Sequence, residues 1–231
     1  MIYLTGDTHG NFQRIASFCA RMRTKPTDVM IILGDAGINF SGDWRDQKKK
    51  EYLSKLPITL FCIHGNHERR PATIATYVEK EWHGGNVYVE ERYPSILFAK
   101  DGEVYDLNGK RTIVIGGAYS IDWMLRTPGQ SWWPDEQPSD EVKACVEQKL
   151  EQIGWDVDIV LTHTAPLKYE PVEAFLPFID QKQVDKTTEA WLGMLEERLS
   201  YRKWFCGHYH ISKNVGNLQF MYSDFDVLCD M

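Results

Sequence analysis

The sequence lacks the features that mark secreted and membrane-spanning proteins. No basic segment followed by an apolar stretch lies near residue 1, so we see no secretory signal peptide. No apolar run approaches the roughly 18 residues of a transmembrane helix. These absences lead us to expect a cytoplasmic protein with no membrane partner. The cysteines are odd in number, and no two have CxxC spacing, so we interpret all five as free thiols: Cys19, Cys62, Cys145, Cys206 and Cys229.

The chain also lacks an excess of positive charge and the common nucleotide-binding motifs. Its 231 residues contain 26 Lys and Arg against 33 Asp and Glu, which gives a net charge of −7. General nucleic-acid-binding proteins usually carry a basic face, so we do not expect nucleic acid as a partner. GxxxxGK(S/T), GxGxxG and HExxH are absent, so nothing supports a P-loop protein, a dinucleotide-binding protein or a zincin protease.

The hydrophobic pattern of the first third of the chain predicts a layered α/β fold. Apolar runs at residues 2–5, 29–33 and 58–63 are bounded by glycine and are typical of strands buried on both faces. Between them, Asn11 is a candidate cap for a helix that reaches Met22, and residues 44–56 form a weaker helical pattern. This β-α-β-α-β alternation favours stacked helices and sheets.

The rest of the chain alternates in the same way and contains neither a repeat nor a linker, so we assign residues 1–231 to one domain. Residues 119–138 contain three tryptophans and no clear period; this loop either caps a site and stacks an aromatic substrate or packs onto the core. The run Lys48-Lys49-Lys50 predicts a solvated helix face, and the pattern around Trp191, Met194 and Leu195 predicts core. We predict strands at 87–89, 96–99, 104–107, 111–115, 159–162 and 203–206, helices at 139–153 and 188–199, and hairpin strands in 211–228.

The positions of the histidines are the most informative feature. Five of the seven lie where a predicted strand gives way to a loop: His9, His64, His163, His208 and His210. Sites in open α/β sheets form at the carboxyl ends of strands, so we expect these side chains to converge with Asp7 and Asp35. We interpret His64 as a buried supporting residue and His83 as a surface or turn residue.

The residue types in this set are those that bind divalent metals. Asp7 and His9 are two positions apart and point to the same side of an extended chain, and His208 and His210 repeat that spacing. Glycine before several of these residues lets the backbone turn sharply. Mixed carboxylate, imidazole and amide ligands suit Mn, Fe, Zn or Co, and the absence of a thiolate set argues against structural zinc.

As an ordered set these motifs resemble the calcineurin-like metallophosphoesterase family. The resemblance implies a four-layer α/β/β/α sandwich with two mixed sheets, with the site formed by loops between the sheets. Two of the motifs are similar to the phosphoprotein phosphatase branch, but Ile38 stands where the family often has Asp or Asn, which weakens the case for a phosphoprotein substrate. The matching segments are Asp7-Thr8-His9, Gly34-Asp35, Gly65-Asn66-His67-Glu68, His163 and Gly207-His208-Tyr209-His210.

The resemblance also implies a role for each residue of the set. It implies a hydrolase of a small-molecule or phosphoprotein phosphoester, and leaves open whether the substrate is a phosphomonoester, a phosphodiester or a nucleotide. The enzyme would use two divalent metals, manganese first for assays, and a metal-bridging hydroxide as nucleophile. His67 would lie beside the leaving group as general acid, and Arg70 would contact the phosphate. The alternative is a non-catalytic scaffold that binds a protein partner. One metal would be held by Asp7, His9 and His210 and the other by Asn66, His163 and His208, with Asp35 as the bridge.

Overall fold

The computed structural model describes residues 1–228, so the prediction of a free thiol at Cys229 lies outside the described residues. Within that range the chain forms thirteen strands and four α-helices. The strands are β1 (Ile2–Thr5), β2 (Val29–Ile32), β3 (Thr59–Cys62), β4 (Val78–Trp82), β5 (Gly85–Val89), β6 (Ile96–Ala99), β7 (Val104–Leu107), β8 (Lys110–Ile115), β9 (Ile159–Thr162), β10 (Lys203–Cys206), β11 (Lys213–Val215), β12 (Leu218–Phe220) and β13 (Phe225–Val227). The helices are α1 (Gln13–Met22), α2 (Trp44–Leu53), α3 (Asp140–Gln152) and α4 (Thr187–Arg198).

The strands form two mixed sheets. The first has the order β13-β1-β2-β3-β6-β5-β4, in which β1, β2, β3 and β6 run parallel to one another. β13 pairs antiparallel with β1, β5 pairs antiparallel with β6, and β4 pairs antiparallel with β5. The second has the order β11-β12-β10-β9-β8-β7, with β12, β10, β9 and β8 parallel. The parallel cores bring the carboxyl ends of β1, β2 and β3, and those of β9 and β10, to common edges.

Three hydrophobic clusters separate four layers. Alternate residues of β2 point to opposite faces, so Ile31 packs between the sheets while Met30 packs against the layer of α1 and α2. Ile15 of α1 is fully buried on that same outer face. On the far side, α3 and α4 cover the second sheet with residues such as Val146 and Trp191. This α/β/β/α order agrees with the predicted fold class.

Several local predictions were wrong. Asn11 does not cap α1, since Phe12 occupies the cap position and no side chain accepts a hydrogen bond there. Lys50 does not lie on a solvated face: it is 3% exposed and pairs with Glu90 at 2.6 Å. Met194 is 59% exposed and therefore is not part of the core.

The sequence pattern also failed to predict β4 and the pairing of β13 with the first sheet. β4 was not predicted, because the segment Val78–Trp82 contains two glutamates and a lysine and is mostly exposed, with only Trp82 packed against the core. In the predicted C-terminal hairpin, β11 pairs with β12, but β13 crosses to the first sheet and pairs with β1.

The structure bears on two expectations, that the cysteines are free thiols and that no helix spans a membrane. Cys19, Cys62, Cys145 and Cys206 are all free thiols. Among residues 1–228, every helix is too short or too polar to cross a membrane.

Candidate metal centre

The strand ends bring the predicted ligands together. Asp7 and His9 follow β1, Asp35 follows β2 and Asn66 follows β3, while the remaining histidines follow β9 and β10 of the other sheet. Two sets of these side chains have ligand atoms that all lie within 4.8 Å of one another. One set is Asp7, His9 and His210, and the other is Asp7, Asp35 and His163.

The first set has the donor arrangement of a cation site. The Nε2 atoms of His9 and His210 face each other at 2.8 Å. Asp7 Oδ2 lies 3.2 Å from Nε2 of His210 and 3.6 Å from Nε2 of His9. Asp7 is 3% exposed, and its Oδ2 has no hydrogen-bond partner among the described residues. Because a buried carboxylate oxygen without a partner is costly, this oxygen and the facing imidazoles fit a divalent ion.

The second set is centred on Asp35 and His163. The Nδ1 atom of His163 lies 2.8 Å from the carbonyl of Leu33, which turns Nε2 toward Asn66 Oδ1 at 2.9 Å and Asp35 Oδ2 at 3.6 Å. The same Asp35 oxygen is 3.9 Å from His9 Nδ1, so it lies within reach of both sets. The His208 ring packs 5.1 Å from that of His163. This placement supports Asp35 as a bridging ligand, which stays a prediction.

Charge is concentrated around the buried carboxylates. Burial by itself lowers the pKa of His163, but the carboxylates of Asp35 and Asp7 outweigh it and raise that pKa to about 9. Burial raises the pKa of Asp35, and His163 reverses this and holds it well below its usual range. Burial, helped by His163, lowers the pKa of His208 to about 3, so that ring is neutral and able to bind a metal. The centre therefore already attracts positive charge.

The backbone is strained at four of the predicted ligands. His9, Asp35, His208 and His210 have φ values of 45°, 46°, 69° and 52°. This left-handed region is sparsely populated by residues other than glycine, and each such residue costs about 1–3 kcal/mol. The surrounding fold holds these side chains in positions that a relaxed chain would not choose.

The glycines beside the ligands act in two different ways. Gly34 has a φ of +95°, so it makes the predicted sharp turn, and a Cβ there would also collide with the His163 ring. Gly65 and Gly207 do not have positive φ, so the turn explanation was wrong for them. A Cβ would strike Asp35 Oδ1 from Gly65, and Asp7 Oδ1 from Gly207, so these glycines give the carboxylates room.

Residues from the tryptophan-rich loop orient the Asn66 amide, which sequence reasoning missed. Asn66 Nδ2 donates to Ser120 Oγ at 2.9 Å, and the Ser120 backbone N–H donates to Glu136 Oε1 at 2.9 Å. With Nδ2 held by Ser120, Oδ1 of Asn66 turns toward His163. No sequence motif marks Ser120 or Glu136, because the contact depends on how a long loop folds back.

A second supporting carboxylate is Glu68. It is fully buried and accepts hydrogen bonds from the backbone N–H groups of Ala36 and Gly37, at 3.3 and 3.2 Å. Burial raises its pKa to about 7. These bonds hold the loop that follows Asp35.

A cavity of about 500 Å³ opens from the predicted ligands. His67 lies in its wall with Nε2 3.9 Å from Asp35 Oδ2, and the side chain is 22% exposed. The three tryptophans of loop 119–138 do not line this cavity; Trp133, for example, is 7% exposed and its ring lies 6.0 Å from that of Phe40. Trp133 is buried, whereas Trp123 is 39% exposed, and the loop contributes Tyr119, Ile121 and Asp122 to the wall.

Arg70 occupies a different position from the other predicted site residues. Its guanidinium donates to Asp101 Oδ2 at 2.5 Å and to the backbone carbonyl of Asp135 at 2.6 Å. It does not line the cavity described above. The contact of Arg70 with phosphate therefore stays a prediction, and the observed contacts tie loop 119–138 to the residues that precede β7.

The remaining positions of interest lie outside the two ligand sets. His64 is 3% exposed and buried as predicted, and His83 lies in the exposed turn between β4 and β5. Ile38, at the position where an Asp or Asn was expected, is fully buried in the core under α1 and α2. Asn39 accepts a hydrogen bond from the Tyr77 hydroxyl at 3.1 Å.

The fold is an α/β sandwich of two packed mixed sheets. A cluster of Asp, Asn and His side chains that could hold metal lies at the ends of its strands. The sequence model described as calcineurin-like phosphoesterase matches residues 1–212, and the chain belongs to that family. No curated protein matches the sequence.

Solved structures agree at the level of the fold. The protein TT1561 of Thermus thermophilus is similar with a TM-score of 0.51 and 14% identity, over 96% of this chain and 87% of that one. A second solved structure has a TM-score of 0.50 and 12% identity, over 95% of this chain and 88% of that one.

Proposed function

We propose that this chain is a hydrolase of small-molecule phosphoesters that works with two divalent metal ions. The observation that carries the proposal is the convergence of five of the seven predicted ligands around the buried Asp7, whose Oδ2 has no hydrogen bond among the described residues. Family membership supplies the general reaction, metal-dependent hydrolysis of phosphoesters. The proposed ligands are Asp7, His9 and His210 for one ion and Asn66, His163 and His208 for the other, with Asp35 between them.

Two bound cations would polarise the phosphoryl oxygens and acidify a water molecule as the attacking nucleophile. Backbone hydrogen bonds orient two of the proposed ligands, Asp7 and Asp35. Asp7 Oδ1 accepts from the His208 backbone N–H at 3.0 Å, and Asp35 Oδ1 accepts from the His67 backbone N–H at 2.8 Å. These bonds leave the second oxygen of each carboxylate turned toward the imidazoles. Manganese is the first ion to test.

His67 is the proposed general acid. It reaches the cavity beside Asp35, and its Nδ1 has no hydrogen-bond partner within residues 1–228. Burial lowers its pKa, although Asp35 acts in the opposite direction, and a further anion beside the ring would favour the protonated form. A bound phosphoester is such an anion, and the protonated ring then donates to the departing oxygen.

The size and the charge of the cavity favour a small ligand. About 500 Å³ suits a small organic molecule, and pockets of this size usually enclose most of their ligand. The net charge of −7 opposes long-range attraction of nucleic acid. We therefore propose an organic phosphate ester as substrate, in a chain that acts without a membrane partner in the cytoplasm.

The test is hydrolysis of p-nitrophenyl phosphate and of bis(p-nitrophenyl) phosphate after chelator treatment, with and without added Mn²⁺. We expect turnover that depends on the metal and is lost in Asp7→Asn, while Asp226→Asn, which changes a carboxylate on β13, keeps it. Two bound metals without turnover of either ester would favour the non-catalytic scaffold.

A further inference from the structure

The cavity wall beyond the metal centre combines apolar and acidic side chains. Within the described part of the chain, neither lysine nor arginine lines the cavity. A second phosphate or a carboxylate on the substrate would find no cation in this wall, and would be repelled by it. The apolar members are Ile121, Ala174, Phe175, Leu176, Val184 and Ile211, and the acidic members outside the ligand sets are Asp122, Glu170, Asp185 and Glu189.

Three of these four acids already have strong partners in the protein. Arg126 pairs with Asp122 at 2.7 Å, and Lys186 pairs with Glu170 at 2.6 Å. Asp185 accepts hydrogen bonds from the side chain of Gln137 and from a backbone N–H at the start of α4. Asp122 and Glu170 are therefore paired with cations of the protein, and both carboxylate oxygens of Asp185 accept hydrogen bonds.

Glu189 differs from the other three. It is 4% exposed, its Oε1 accepts from Thr164 Oγ1 at 2.8 Å, and its Oε2 has no hydrogen-bond partner within residues 1–228. Burial raises the pKa of Glu189 to about 7, and a cation beside the side chain would favour its ionised form. One oxygen is therefore fixed by the protein, and the other is buried without a hydrogen bond to any described residue, in a side chain that lines the cavity.

Glu189 is connected to the predicted metal ligands through Thr164 and Tyr209. Thr164 directly follows the predicted ligand His163, and its Oγ1 lies 3.2 Å from the hydroxyl of Tyr209. Tyr209 in turn stands between the predicted ligands His208 and His210. A molecule that fills the cavity can thus present one end to the metal ligands and the other to Glu189.

We propose that the substrate is a phosphate ester whose leaving group carries an amine, and that Glu189 Oε2 binds this ammonium group. This inference rests on the proposed function and adds the substrate class. The phosphate lies at the metal centre, an aromatic or alkyl spacer packs against residues such as Phe175 and Tyr209, and the ammonium group reaches Glu189. A cationic donor satisfies the one acid of the wall that lacks a partner.

Two aryl phosphates of equal length test this proposal. In 4-(2-aminoethyl)phenyl phosphate the chain ends in an ammonium group, and in 4-propylphenyl phosphate it ends in a methyl group, while the phenol leaving groups are similar. A charge-assisted hydrogen bond contributes about 1.5–3 kcal/mol, so we expect kcat/KM to favour the amine by about ten- to hundredfold. Glu189→Gln should remove most of that preference, and Glu197→Gln, on the exposed face of the same helix, should retain it.

A measurement on the unmodified protein covers the case in which Glu189→Gln does not fold. Tyramine should inhibit hydrolysis of p-nitrophenyl phosphate more strongly than 4-propylphenol does. Equal kcat/KM values for the two aryl phosphates in the unmodified protein would overturn the inference while leaving the proposed function intact. An equal loss of both activities in Glu189→Gln would also overturn it, since that pattern indicates a structural role. Hydrolysis of neither ester would instead contradict the proposed function.

Discussion

At the scale of single residues, His67 is set apart from the predicted metal ligands by its position. His67 belongs to neither ligand set, although it lies next to Asn66 in sequence and 3.9 Å from Asp35 Oδ2. Its side chain faces the cavity with one nitrogen unpartnered among the described residues. A cavity-facing imidazole beside the predicted ligands is consistent with the proposed general acid.

We predict that His67→Ala lowers kcat by about 10²–10⁴-fold because general-acid catalysis is lost. Metal content should stay near that of the unmodified protein. The loss should be smaller for p-nitrophenyl phosphate than for an alkyl phosphate, because nitrophenolate departs without a proton. Steady-state kinetics together with metal analysis check both points, with His83→Ala in the exposed turn as control. Simultaneous loss of metal and activity would contradict this role.

At the scale of elements, loop 119–138 acts as a support for the metal centre. It delivers Ser120 to the Asn66 amide and Glu136 to Ser120, and Arg70 ties its far end to Asp101. Such supporting hydrogen bonds fix the orientation of ligands and commonly change metal affinity by about 10–100-fold when they are removed.

We therefore predict that Ser120→Ala weakens binding of one of two Mn²⁺ ions by about 10–100-fold, because Asn66 loses the acceptor that orients its amide. Calorimetric titration of the metal-free protein with Mn²⁺ measures the two affinities separately. Gln130→Ala, an exposed change in the same loop, serves as control. Unchanged affinities in Ser120→Ala would show that the loop does not orient Asn66.

Gly193 and Gly207 allow a comparison between a glycine inside a helix and a glycine beside the predicted metal ligands. Gly193 lies inside α4, and a Cβ there would meet nothing within 4 Å. We predict that Gly193→Ala raises the free energy of unfolding by about 1 kcal/mol, because alanine is the better helix former. Gly207→Ala should lower it by more than that, because the new Cβ strikes Asp7. Urea unfolding of both variants checks the signs, and two equal effects would contradict the account.

The sequence predicted the elements whose pattern is local and missed those that depend on distant contacts. The buried strands around Ile31 and Leu161 have unbroken apolar runs, and the motif residues follow them directly, so both fold class and ligand convergence could be predicted. The supports from Ser120 and Glu136, and the pairing of Lys50 with Glu90, join residues far apart in sequence. No period or motif marks such pairs, and β4 is mostly charged and exposed, so its pattern does not identify a strand.

At the scale of the whole molecule, two packed sheets enclose carboxylates and imidazoles for which protons and the proposed metal ions would compete. In the metal-free chain, burial lowers the pKa of His163, but Asp35 and Asp7 raise it to about 9. That charge pairing stabilises the fold fully below the ordinary histidine pKa of about 6.5 and is lost as pH rises through about 9. A metal ion needs the neutral ring, so it must displace this proton.

We predict that Mn²⁺ affinity rises with pH up to about 9, by as much as tenfold per unit for the proton on His163. Calorimetry in buffers of different ionisation enthalpy, at about pH 6.5 and about pH 8.5, should detect more proton release at the lower pH. An affinity that does not change over this range would show that His163 is not protonated before metal binds, or is not a ligand.

The central claim is that seven residues from two sheets hold a pair of cations: Asp7, His9, Asp35, Asn66, His163, His208 and His210. Native mass spectrometry of the chain in Mn²⁺ at a concentration above both dissociation constants measures this number directly. We predict two ions per chain in the unmodified protein and at most one in Asp35→Asn. One ion or none in the unmodified protein, or two in the variant as well, would contradict the claim.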